Sequence, residues 1–161
     1  MALMNPYQDD LGDRDPIAAL AETPWRIRAI VSALTPTQLH RSYAPGKWTA
    51  AQLLIHLAHV ELAFGVRARM ALTTDHYVIQ PFEQDAWMAR EPMIDARAAL
   101  AAYEGLRAMN LALFRSLTPE ERARPVTHPE RGTITPADIF AVMAGHELHH
   151  VPHFELIARN S

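Results

Sequence analysis

The chemistry in this chain is concentrated in histidine. There are nine among 161 residues and no cysteine. Disulfides, thiolate metal sites and cysteine nucleophiles are therefore excluded together. Four of the nine fall in His146-Glu147-Leu148-His149-His150-Val151-Pro152-His153. At about 100° per residue, with His146 at zero, the apolar residues Ile139, Val142, Met143, Phe154 and Ile157 lie between about −40° and +80°. His150 falls at about +40°, so both rings sit inside the buried stripe, whereas His149, at about −60°, lies at its edge. Side chains four apart on a helix have Cβ atoms about 5–6 Å apart, close enough for two imidazoles to ligate one ion at about 2.0–2.1 Å. A third inward histidine, His56, shares a face with Leu53, Val60, Ala63 and Phe64 on another periodic segment, with His59 at the margin. Any one buried histidine reads as a hydrogen-bonded core residue. Three that converge predict a metal site of three neutral nitrogens with a coordination position left open, which suits Zn²⁺ or Ni²⁺. His40, His59, His76, His128 and His149 are expected on the surface or in loops.

The string His146-Glu147-Leu148-His149-His150 also fits H-E-x-x-H, the zinc-protease pattern whose Glu is the general base. No glycine and third histidine follow at the offsets such proteases need, and Glu147 points about 100° away from His146. Glu147 therefore remains only a candidate base at a bundle end, beside Asp85 or Glu83 in a loop. On other buried stripes, Arg67 is a candidate for an anionic substrate group, and Tyr103, Arg107 and Asn110 for the wall of a substrate pocket. A structural hydrogen-bond cluster is the plainer reading of those three. Trp48 is expected to pack at a helix entrance, and Trp87 could cover the site.

These residues require helices to hold them. Alanine is the commonest residue and there are only six glycines, which favours helix. Thr-Pro pairs at 23–24, 35–36, 118–119 and 135–136 each offer a capping hydroxyl followed by the residue best suited to a first helical position. Thr49, after Ala44-Pro45-Gly46-Lys47, is a fifth start. Periodicity predicts helices over about 24–34 (with a preceding turn from Pro16), 49–72, 94–117 and 135–158. Pro152 should kink or end the last one. Strand patterning is weak and confined to 76–80. The reading is a single all-α domain, a four-helix bundle over residues 1–161 with a flexible or loosely packed segment at 1–15. The long 73–93 connection allows an up-down-down-up order.

Hydrophobic residues make up 49% and charged residues 20% of the chain, with a formal net charge of −3. That is globular, and it argues against a nucleic-acid-coating surface. No apolar run is long enough to span a membrane, and the first residues lack a secretory pattern, so a cytoplasmic location is expected.

Lys47-Trp48-Thr49-Ala50-Ala51-Gln52-Leu53-Leu54-Ile55-His56-Leu57 resembles the second-helix motif of the DinB/YfiT-like metalloenzyme family. Gly145-His146-Glu147-Leu148-His149-His150 resembles its fourth-helix H-x-x-x-H motif, usually written with Asp after the first His. Phe82-Glu83-Gln84-Asp85-Ala86-Trp87 is similar to a segment several members carry. The resemblance covers nearly the whole chain. It implies an up-down-down-up bundle, a three-histidine site at His56, His146 and His150, and a homodimer. Characterised relatives include transferases and an isomerase that use low-molecular-weight thiols. The expected function is therefore metal-dependent transfer of a small thiol to an electrophile, with metal-dependent hydrolysis or a non-catalytic metal-binding or dimerisation role as alternatives. A thiol cosubstrate would have to come from outside a chain without cysteine. A first helix with apolar residues on more than one side, Trp25, Ile27, Ile30 and Val31, supports the pairing.

Overall fold

The structure, a computed structural model, describes residues 5–160. Four long helices form the bundle: α2 (Pro16–Ser32), α4 (Ala50–Thr73), α6 (Ala96–Ser116) and α8 (Pro136–Arg159). Short helices α1 (Gln8–Leu11), α3 (Pro36–Leu39), α5 (Gln84–Arg90) and α7 (Pro119–Arg122) lie between them, with a hairpin of β1 (Val126–His128) and β2 (Gly132–Ile134) before α8.

Helix starts follow the capping chemistry. Thr35, Thr49, Thr118 and Thr135 each accept the backbone N–H three residues on, and the side chain at that third position returns to the cap in a complete capping box. At Thr35 and Thr118 the helix that follows is only four residues long. Thr23-Pro24 starts nothing. The helix begins earlier, where Asp15 accepts from Ala18 N at 2.8 Å, and it runs through Pro24. A proline inside a helix removes the hydrogen bond to the carbonyl four residues back, here Leu20. That carbonyl is taken up by Arg107 Nη1 from α6 at 3.0 Å. Pro152 likewise neither ends α8 nor stops it short of Arg159.

Side-chain pairs fix the order. Leu20 meets Arg107 and Arg28 meets Glu104, so α2 and α6 are antiparallel. Glu61 and Gly65 on α4 meet Arg107 and Asn110 on α6 in ascending order, so these two are parallel. His56 meets His150 and His146 on α8, and Phe114 stacks on Phe140 at 3.6 Å. Arg26 reaches Glu155 at 2.6 Å, which runs α2 alongside α8. The bundle is up-down-down-up, as expected.

The core is two apolar clusters with a polar layer between them. One is built on Leu53, Leu54, Leu57, Tyr103, Phe154 and Ile157, the other on Leu20, Ala68, Phe114, Ile139, Phe140 and Met143. On α4, α6 and α8 the buried polar residues where the clusters meet are His56, His59 and Glu61, then Arg107 and Asn110, then His146, Glu147 and His150.

Three features differ from expectation. Of the segment 1–15, residues 1–4 lie outside the described residues, and in the rest Leu11 is buried and α1 lies on α8, where Gly145 leaves room for Tyr7. The connection over 74–93 contains α5. The hairpin escaped the sequence reading because its strands are three residues each, too short to alternate, and the weak strand pattern at 76–80 contributes only the bridge Val78–Thr127 beside it. No helix among the described residues is long and apolar enough to cross a membrane.

Candidate metal centre

His56 is presented by α4, and His146 and His150 by successive turns of α8. Their Nε2 atoms converge. His56 Nε2 lies 2.9 Å from His146 Nε2, and His146 Nε2 lies 3.0 Å from His150 Nε2. One ligand atom from each of the three lies within 4.8 Å of the others. Nitrogens bound at about 2.0–2.1 Å to one tetrahedral ion stand about 3.3 Å apart, so the spacing is close to that of a ligand set. Hydrogen bonding alone does not account for it. A ring nitrogen has either one hydrogen or one lone pair, and His146 Nε2 faces two other ring nitrogens.

All three rings are held neutral. Burial, then the charge of His59, lowers His56 to about 4. Burial, then His56 and its neighbours on α8, takes His150 to about 2. Burial drives His146 well below the ordinary value. Lone pairs on Nε2 require the hydrogen on Nδ1. For His150 that hydrogen has an acceptor, His153 Nδ1 at 3.1 Å, and the His153 ring stacks on Tyr43 with centroids 3.9 Å apart. A partner on the far ring nitrogen is the usual companion of a metal-ligating histidine. Nδ1 of His56 and of His146 are buried without a partner. Trp48 packs on His56 at 4.6 Å and Tyr7 on His146 at 5.1 Å, edge to face.

Two cavities reach the cluster. One, about 210 Å³, ends on His146 and is lined by Tyr7, Phe64, Arg67, His128 and Arg131 among others. The second, about 350 Å³, ends on His150, His149 and His153, with Trp48, Lys47 and Asp85 on its wall. Tyr7 and Gln84 line both.

The remaining candidates divide. Arg67 and Asp85 face these cavities. Trp87 does not; it packs on His59 at 5.3 Å and Phe82 at 4.6 Å. Glu147, Arg107 and Asn110 are absorbed into a buried network of ion pairs and hydrogen bonds, and Tyr103 packs beside it, its hydroxyl, like Arg107 Nε, without a partner. Arg107 Nη1 donates to Glu147 Oε2 at 2.7 Å, and Arg107 Nη2 pairs with Glu61 and Glu147. Asn110 Nδ2 donates to Glu61 Oε2 at 2.8 Å, and its Oδ1 accepts from Arg69 at 2.8 Å. Burial works against the Arg107 charge, but the two carboxylates outweigh it and hold its pKa well above the ordinary value. Burial raises Glu147 to about 7 despite Arg107, and burial, with Glu147 next, raises the enclosed Tyr103 phenol well above its own. Glu147 is thus an ion-pair partner turned away from both cavities. Tyr103 and Asn110 wall neither cavity, and Arg107 borders only a separate groove between α2 and α6.

Two histidines expected outside are buried: His59, whose Nε2 meets Glu91 at 3.0 Å, and His128 in β1. Tyr7, Gln84 and Arg131 had no sequence signal except, for Tyr7, the glycine at 145. A Cβ there would stand 2.5 Å from the Tyr7 carbonyl oxygen.

Residues 19–153 match the family model of the DinB superfamily. The chain belongs to that superfamily. Among DinB proteins it is similar to “Putative metal-dependent hydrolase YfiT” of Bacillus subtilis, 29% identical over 146 residues, covering 89% of this chain and 82% of that protein. A relative from Bacillus pumilus, described as “Putative metal-dependent hydrolase”, is 33% identical over 148 residues, covering 89% of this chain and 84% of that protein. The solved structure of YfiT, described as an unusual four-helix bundle, superposes with a TM-score of 0.82 at 28% identity, over 89% of this chain and 84% of that one.

Proposed function

We propose that this DinB protein is a metal-dependent hydrolase whose centre is one divalent ion held by His56, His146 and His150. The observation that carries the reading is the convergence of three neutral, buried Nε2 atoms at the end of a cavity. Zn²⁺ or Ni²⁺ suits three imidazoles. When bound, such an ion supplies Lewis-acid activation of water near neutral pH. The chain's own groups do the rest. His153 fixes the tautomer of His150. Tyr7, whose pKa burial raises, stays protonated beside His146 as a hydrogen-bond donor. Asp85, on the wall of the second cavity, is the carboxylate placed to take a proton there. The names carried by the relatives support hydrolysis over other metal chemistry.

The second cavity favours one further reading. A site entered from two sides has room for two reactants, as transfer of a small external thiol to an electrophile requires. The test is a panel of esters, amides and phosphoesters beside a panel of thiols with a reactive halide, each with metal-loaded and chelated protein. Metal-dependent turnover of the first panel supports hydrolysis. Turnover of the thiol panel alone replaces it with transfer, and neither overturns both.

Pairing of two chains is proposed through α2, where Trp25 is 74% exposed at the groove against α6. Light scattering at the monomer mass across micromolar concentrations would end that idea.

A further inference from the structure

The cavity that ends on His146 has a second pole. Arg67 on α4 is only 8% exposed. It is held by Nη2 donating to Gln80 O at 2.9 Å and by its guanidinium lying 4.6 Å from the centre of the Phe64 ring. Arg131, in the turn between β1 and β2, lines the same cavity. Among the described residues neither guanidinium is ion-paired, and of the two buried arginines, Arg67 and Arg107, only Arg107 has carboxylate partners. His128 completes the group. Its Nδ1 accepts the backbone N–H of Glu130 at 3.2 Å, so the hydrogen of the neutral ring sits on Nε2 as a free donor.

The three groups sense one another. Burial lowers the His128 pKa first, and Arg131 and Arg67 lower it further. Leaving an almost buried guanidinium without a counter-charge is costly, and putting a second beside it adds to that cost. Glu83 and Glu130 also border the cavity, but both are exposed, where solvent screens them far more than it screens Arg67.

We propose that this pole is an anion subsite: Arg67, Arg131 and the Nε2–H of His128 hold a phosphate or carboxylate group of the substrate while its reacting end lies against the histidine cluster. The proposal rests on the metal-centre reading for the identity of the reacting end, and on the cavity alone for the anion. It makes the substrate a small molecule with an anionic tail and a hydrolysable or electrophilic bond at the other end.

Calorimetric titration of the full chain, as purified and after chelation, with inorganic phosphate and separately with acetate tests it. The chelated arm removes any binding of these anions to metal. Phosphate or acetate should bind in both arms, the tighter of the two naming the tail. Arg131→Gln and Arg67→Gln should each weaken the preferred anion about tenfold or more, as loss of a charged hydrogen bond does. Arg124→Gln, which removes an arginine on another surface, should change it less than about twofold. Arg131 lies in a hairpin turn, so its variant answers the question even if Arg67→Gln does not fold. Unchanged affinity in Arg131→Gln, equal loss in Arg124→Gln, or binding of neither anion overturns the subsite, whatever the metal content. A chain that holds no metal yet binds phosphate through Arg131 overturns the metal centre and leaves the subsite standing.

Discussion

Two buried polar clusters share the middle layer of this bundle, and they are built on opposite terms. In the Arg107 network, carboxylates, guanidinium and amide pair across α2, α4, α6 and α8, down to the carbonyl that Pro24 frees. In the histidine cluster three nitrogens crowd to about hydrogen-bond distance with too few hydrogens to pair them, two far-side nitrogens lack partners, and cavities open on it. Charge pairing and access separate the two: the Arg107 network leaves Tyr103 Oη and Arg107 Nε without partners but pairs its charges, and it lines neither cavity that reaches the histidines. A cluster whose charges pair internally holds the fold together, and one whose nitrogens crowd together at a cavity is where a ligand belongs.

The sharpest way to break the comparison is to remove Arg107. Arg107→Met leaves Glu61 and Glu147 buried without their cation, and should cost about 3–5 kcal/mol in urea unfolding. The protein that still folds should keep its metal. Loss of metal at unchanged stability would reverse the roles assigned to the two clusters.

The clusters should also respond to pH in opposite senses. His56 has a folded pKa of about 4 against an ordinary 6.5. Below pH 6.5 the unfolded chain takes up a proton that the folded chain refuses. Stability is therefore whole above that pH and falls toward pH 4, by about 3 kcal/mol for this residue. His146 and His150 shift the same way. Glu147, raised to about 7, works in reverse, losing stability as pH rises from 4.5 to 7. Three imidazoles outweigh one carboxylate, so chelated protein should unfold at lower urea at pH 5 than at pH 7. A higher midpoint at pH 5 would mean that the imidazoles are not held neutral.

His153→Ala removes the acceptor behind His150 and should weaken metal binding tenfold to a hundredfold, or about 1–3 kcal/mol, with the fold intact by circular dichroism. Unchanged affinity would mean that the stacked pair His153–Tyr43 only packs.

The smallest effects come from two helical glycines. Gly65→Ala puts a Cβ 2.6 Å from Asn110 Oδ1, at the edge of the closed network, and should cost about 1–3 kcal/mol. Gly145→Ala instead puts a Cβ 2.5 Å from the backbone carbonyl oxygen of Tyr7, so the segment before α1 must move off α8, and it should cost about 1–3 kcal/mol. Its signature should be altered anion or metal affinity beside the lost stability, because Tyr7 lines both cavities. Unchanged anion and metal affinity in Gly145→Ala, or altered affinity in Gly65→Ala alone, would contradict this.

Much of this was legible because it is local. The Thr caps act within four residues, and helical spacing alone puts His146 and His150 on one inward face and His56 on another. The closed network was not, because it is made by assembly. Glu61 lies about 140° from His56 on the helical wheel, outside the stripe, and is buried because α4 packs on both α6 and α8. His59, at the stripe's margin, is covered by Trp87 of α5. Pro24 and Pro152 mark breaks in an isolated helix, yet here neither ends its helix. Arg107 turned from a candidate pocket residue into the hub of the network because its partners come from three other helices.

The central claim is that His56, His146 and His150 form one metal centre. Elemental analysis of protein purified without chelators, in the wild type, His150→Ala and His149→Ala, tests it most directly. The account predicts close to one divalent ion per chain in the wild type and in His149→Ala, and almost none in a folded His150→Ala. Equal metal content in the two variants, or none in the wild type after reconstitution with Zn²⁺ or Ni²⁺, would contradict it.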